Sequence, residues 1–155
     1  MKHLKYIILA ILGIGLLIAC EEDFDDPVLQ QVGEFTLNEL NAGDFEPVLS
    51  DDIAEDTFAT FVWTPIEYNV PTVNEYTIEV DTAGNNFENA VVVTTVTDTN
   101  EASVSVFNFN LALTGKLGFE PYLSADVEVR VASIAGETNP QKAYTNAISM
   151  NVTSY

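Results

Sequence analysis

Glu75-Tyr76-Thr77-Ile78-Glu79-Val80-Asp81 is the stretch that decides the fold class. In an extended chain Tyr76, Ile78 and Val80 fall on one side, and Glu75, Thr77, Glu79 and Asp81 on the other. Such period-two alternation marks a strand with one face in a core and the other in water. Ala83-Gly84-Asn85-Asn86 follows it and is built of turn formers. Further along, Ala90 to Thr97 is β-branched. Ala102, Val104 and Val106 alternate with serines, and Val127, Val129 and Val131 alternate with Glu128 and Arg130. Ile148, Met150 and Val152 alternate with Ser149, Asn151 and Thr153. Upstream, Thr57 to Trp63 is a strong strand that exits at Thr64-Pro65, where proline lacks the N–H a ladder needs. Glu34 to Leu37 reads as the first strand, and Phe45 to Asp56 as an acidic loop with a weak strand near Pro47-Val48-Leu49. About seven short strands separated by turns predict an all-β, two-sheet sandwich of immunoglobulin-like or fibronectin-III-like type. Trp63 is its expected large core residue. One helix is predicted, from Asn108 to Leu117, with Leu111, Leu113 and Leu117 plugging an end of the sandwich.

The segment before the sandwich has a different character. Met1-Lys2-His3-Leu4-Lys5 is basic, and Tyr6 to Ala19 is apolar apart from Gly13 and Gly15. As a helix that apolar run would rise about 21 Å, short of the roughly 30 Å hydrocarbon core of a bilayer, so it reads as a signal peptide. It closes at Leu17-Ile18-Ala19-Cys20, the pattern of a bacterial lipobox. The expected product is cleaved before Cys20, with a diacylglycerol on the thiol. Two or three acyl chains anchor a protein stably where one does not. The chain's single cysteine is then used in anchoring, which agrees with a secreted domain that has no disulfide framework. Glu21, Glu22, Asp23, Asp25 and Asp26 come next, five acids in six residues. They repel one another and form a solvated tether. In this position they also resemble the export signal that sends lipoproteins to the outer face of the outer membrane. The organisation read from sequence is a signal peptide at 1–19, a lipidated Cys20 and tether at 20–32, and one sandwich domain at 33–155.

Charge excludes several partners. Five Lys and Arg face 24 Asp and Glu, for a net charge of −19. Removing residues 1–19 takes away Lys2 and Lys5 and no acid, leaving three basic residues against 24 acids, or −21. A chain this acidic is repelled by nucleic acid and by anionic membrane surfaces. His3 is the one histidine, so the domain has no imidazole for a triad, a zinc site or acid–base work. No glycine-rich phosphate loop follows a strand, and no cofactor is implied. Arg130 is expected to pair with Glu128 or Glu79, or to lie exposed. Carboxylate pairs are plentiful by chance in so acidic a chain, so they do not argue for a glycosidase. No metal site is assigned: Asp51-Asp52 with Glu55-Asp56, and Asp81 with Asn85 and Asn86, offer oxygen ligands but not the spacing of a calcium loop. Sugars stack on exposed rings, and the ring candidates outside the alternating strands are Tyr68, Phe87, Phe119, Tyr122 and Tyr144.

Order and spacing of several motifs point to one family. They are Cys20 with its acidic tether, Phe61-Val62-Trp63-Thr64-Pro65 with Tyr68 and Pro71, and Glu75 to Val80. Asn110-Leu111-Ala112-Leu113, Leu117-Gly118, Val127 to Ala132 and Thr145 to Thr153 continue the series. Over nearly its whole length the chain resembles the N-terminal domain of SusE-type outer-membrane lipoproteins of starch and glycan utilisation systems. The resemblance implies a surface lipoprotein with an immunoglobulin-like N-terminal domain that faces the cell exterior. In longer members carbohydrate-binding domains follow and hold the glycan; the chain closes at Tyr155, where they would begin, so they are expected to be absent. What remains acts in the family as a spacer or docking module. Three functions follow as expectations: a non-catalytic accessory scaffold beside a glycan importer complex, a small polysaccharide-binding module using the loop aromatics, and a calcium-stabilised adhesion-type module. The expected partners are the outer membrane through the lipid, an importer complex and a polysaccharide, with no nucleic acid.

Overall fold

The strand announced by Tyr76, Ile78 and Val80 runs from Asn74 to Thr82 and is the centre of the larger sheet. The computed structural model describes residues 29–40, 47–136 and 140–155. Cys20 and the tether acids Glu21, Glu22, Asp23, Asp25 and Asp26 lie outside the described residues, as does the first part of the Phe45–Asp56 loop. In chain order the strands are β1 (Gln31–Val32), β2 (Thr57–Val62), β3 (Glu67–Tyr68), β4 (Asn74–Thr82), β5 (Val91–Thr97), β6 (Glu101–Ser105), β7 (Ser124–Ala135), β8 (Gln141–Tyr144) and β9 (Ile148–Thr153). A helix, α1 (Val106–Asn110), passes directly into a π-helical turn over Leu111–Lys116.

Five strands make the larger sheet, in the order β5-β4-β7-β8, with β9 also paired to β7. Strand β7 is 12 residues long, so β8 and β9 follow one another along the same edge of it, opposite 132–135 and 124–129. All pairings in this sheet are antiparallel. Strands β2 and β6 form a second antiparallel pair, and β1 with β3 a third. The core lies between the five-stranded sheet and the β2–β6 pair. One side contributes Tyr76, Ile78 and Val80, Val127, Val129 and Val131, and Ile148, Met150 and Val152. Facing them are Ala59, Phe61, Trp63, Ala102 and Val104. Each fully buried Val or Ile here contributes about 1.5–3 kcal/mol, so the valine ladder of β7 alone rivals the net stability of a small domain. The fold is thus the all-β, immunoglobulin-like sandwich that the alternation predicts, with Trp63 buried in its core.

Several elements differ from the sequence reading. Glu34 to Leu37 forms a single bridge, Leu37 to Trp63, and no strand. The Asn38 N–H donates to the Val62 carbonyl and the Thr64 N–H to the Thr36 carbonyl, so the polar groups of Leu37 itself face away from β2. Val48 bridges Thr153 in parallel, which brings the 47–49 segment to the free edge of β9. Strands β1, β3 and β8 are too short or too polar to show any period. Gln31 and Val32, read from sequence as tether, pair with Tyr68 and Glu67. The helix begins two residues before the expected Asn108, because the Ser105 side chain caps it by accepting from the Asn108 N–H at 3.2 Å. Phe109 and Leu113, four residues apart and fully buried, set its phase. Leu111 therefore points outward, 45% exposed, and Phe109 takes its expected place against Phe58 at a centroid distance of 4.0 Å.

Candidate functional site

The outward face of the five-stranded sheet carries a cluster of charged and aromatic side chains around Arg130. Alternation that buries Ile78 and Val80 turns Glu79 outward on β4, and the same rule turns Arg130 outward on β7. Glu79 and Arg130 are direct register partners. Arg130 Nε donates to Glu79 Oε2 at 2.8 Å, with both side chains 17% exposed. The guanidinium also lies over two rings, 4.1 Å from the centroid of Phe87 and 3.8 Å from that of Tyr144. Tyr144 ends β8 opposite Ala132, beside Arg130 on the sheet. Phe87 arrives from the turn after β4. A partly desolvated cation between two ring faces and a carboxylate is held by cation–π attraction and charge together.

Asp81 shapes that turn. Its side chain is 1% exposed and accepts from the Thr82 N–H at 2.7 Å, the Asn85 side-chain amide at 2.9 Å and the Asn89 N–H at 3.0 Å. Gly84, Asn86 and Phe87 all adopt positive φ within it. For Phe87, at φ 58°, this costs about 1–2 kcal/mol, offset by its contact with Arg130. Both carboxylate oxygens of Asp81 thus serve as acceptors for the turn, which explains the Asp81–Asn85 spacing without a cation. Among the described residues no three His, Cys, Asp or Glu side chains gather as a metal-binding group.

The five ring candidates divide three ways. Phe87 and Tyr144 meet around Arg130. Tyr68 and Phe119 pack against the core. Tyr122 stands alone at 79% exposure. The Tyr68 hydroxyl is buried beside Ser133, and burial raises its pKa above the ordinary 10.0, while the serine hydroxyl works in the opposite direction. Tyr76 is raised for the same reason, desolvation, with contacts to Ile66 and Asn74 opposing it.

A groove of about 450 Å³ lies elsewhere, between 38–40 and strand β2. Among the described residues, Glu39 is the one titratable side chain in its lining.

Two asparagines do work that the sequence did not announce. Asn146 accepts from the Leu37 N–H at 2.9 Å and donates to the Leu37 carbonyl at 3.2 Å. Asn110 does the same for Tyr155, at 2.9 and 2.8 Å. Each side-chain amide imitates a strand neighbour and ties a segment outside the strands to the sandwich. An Asn just outside a strand or at a helix end was the available signal, and it is too common to single out.

These two facing sheets, with outward polar groups that lock the turns, define an all-β sandwich of the immunoglobulin-like class. The model of the SusE outer membrane protein family matches residues 22–132, and the chain belongs to that family. It is therefore an outer-membrane protein of the starch-utilisation type. No curated protein matches the chain.

Proposed function

We propose that the chain is a lipid-anchored, non-catalytic accessory protein of a glycan utilisation system, serving as a scaffold or docking module on the cell exterior. The supporting observation is how its aromatic side chains are used. Phe87 and Tyr144 hold Arg130, and Tyr68 and Phe119 complete the core, so four of the five ring candidates have structural duties. This favours docking over sugar binding. Cys20 carries the lipid, and Glu21, Glu22, Asp23, Asp25 and Asp26 direct the protein outward. Deleting the protein should change the native-gel migration of the importer complex; unchanged migration would refute the accessory role. The isolated protein should pass unretarded through gels containing glucans, fructans or host glycans, and retardation would favour the sugar-binding reading instead. Cys20→Ala should move the protein to the soluble fraction. Replacing the five tether acids with Ala should remove antibody labelling of intact cells while membrane attachment persists.

A further inference from the structure

Ten large apolar side chains are exposed among the described residues, and six of them sit on segments joined at one pole of the sandwich. They are Val48, Ile53, Phe107, Leu111, Tyr122 and Leu123. The backbone links these segments. Val48 bridges Thr153, the Phe107 N–H donates to the Ala54 carbonyl at 2.9 Å, and the Tyr122 N–H donates to the Ser154 carbonyl at 2.8 Å. Asn110 clasps Tyr155, and the Phe119 N–H reaches the Leu113 carbonyl at 3.0 Å. Tyr122 holds φ 67°, a conformation unfavourable for an aromatic residue, and presents a ring that is 79% exposed. Strain that serves an exposed ring is a mark of a contact surface.

The charge around this pole selects the occupant. Asp51, Asp52, Glu55, Asp56 and Glu120 are all exposed on the same segments. Lys116, the cation of this region, has its ammonium on the Val92 carbonyl at 3.0 Å. A second copy would bring an identical acidic rim against this one, and an anionic bilayer surface would meet the same repulsion. We infer that this pole docks a partner protein whose contacting surface is apolar at the centre and rich in Lys and Arg at the edge. The inference rests on the docking reading and adds the place and the chemistry of contact.

The test uses the full lipoprotein in its own cells, with a benzophenone amino acid placed at Leu111 or Tyr122, and at Thr95 on the larger sheet as control. The expected result is one discrete protein adduct from the two pole positions and none from Thr95. Mass spectrometry should map the adduct to an apolar site flanked by Lys or Arg. The double change Asp51→Lys with Asp52→Lys, at unchanged melting temperature, should lower the adduct yield about tenfold, the scale of two rim charge pairs. No adduct, an adduct to a second copy or to lipid, or a yield indifferent to the charge reversal would each overturn the proposal. An adduct to a basic protein outside the importer complex would leave this surface standing and remove only the importer from the reading above.

Discussion

Asn146→Ala should be among the most costly single changes on the surface of this protein. Leu37 is 3% exposed, and its bridge to Trp63 is of the kind in which its own N–H and carbonyl point away from the paired strand. Asn146 satisfies both, at 2.9 and 3.2 Å. The Ala variant leaves a buried donor and a buried acceptor unpaired, each costing about 1–3 kcal/mol. Asn146 itself is exposed, so water reaches part of the site and the sum belongs at the lower end, about 2–4 kcal/mol. Against a net stability of about 5–15 kcal/mol this is a large share. The assay is urea unfolding followed through Trp63, the chain's one tryptophan, whose ring lies in the core beside the Leu37 bridge. The midpoint should fall with the slope unchanged, since the surface exposed on unfolding is the same. Asn146→Asp keeps the acceptor for the Leu37 N–H and should lose less. A loss below about 0.5 kcal/mol for the Ala variant would show that solvent replaces the clasp, and the reasoning would fail.

Other expectations follow from the same geometry. Asp81→Ala removes the acceptor for three donors; it should cost about 2–4 kcal/mol and speed amide exchange at Thr82 and Asn89 specifically. Because the Asp81 oxygens serve the turn, the melting temperature should be the same in calcium and in chelator. Arg130→Lys keeps a cation opposite Glu79 but loses the planar stack between Phe87 and Tyr144, and should cost about 1 kcal/mol, measured by thermal unfolding. Tyr68 and Tyr76 have pKa values raised by burial, so the unfolded chain loses these protons first as pH rises. The stability they favour is complete below about pH 10 and declines above it, and Tyr68→Phe should flatten that alkaline decline in a pH series of melting temperatures.

The strand ladders were legible because burial on one face and water on the other write a period of two directly into residues such as Tyr76, Ile78 and Val80. For Arg130 the sequence offered Glu79, Glu128 or an exposed position, and the register of β4 against β7 selects Glu79. What stayed hidden depends on contacts between distant parts of the chain. Nothing local tells that Phe87 would turn through positive φ to meet Arg130, or that Asn146 would complete the hydrogen bonds of Leu37, 109 residues away. The outward Leu111 was misplaced for a related reason. Three leucines offered a helix face, and Leu113 and Leu117 do turn inward, but Phe109 replaces Leu111 once the β2 ring of Phe58 stands opposite. The tyrosine candidates split because Tyr68 and Tyr144 fall on short strands, β3 and β8, that show no period in the sequence, while Tyr122 stays in a turn.

The scarcity of cations bears on how this protein meets proteases. Between Tyr6 and Gly115 there is no Lys or Arg, so trypsin has no bond to cut across most of the domain. The Lys116 side chain bonds a β5 carbonyl, and Arg130 is clamped in the middle of β7 between two rings and a carboxylate. Lys142 on β8 is the remaining site. Trypsin shaving of intact cells would therefore leave the protein nearly whole even where it faces outward, and would report it falsely as internal. A glutamate-specific protease, given the acids at Glu21 and Glu22, is the reagent matched to this chain, and the same imbalance gives the domain durability wherever trypsin-like enzymes are abundant.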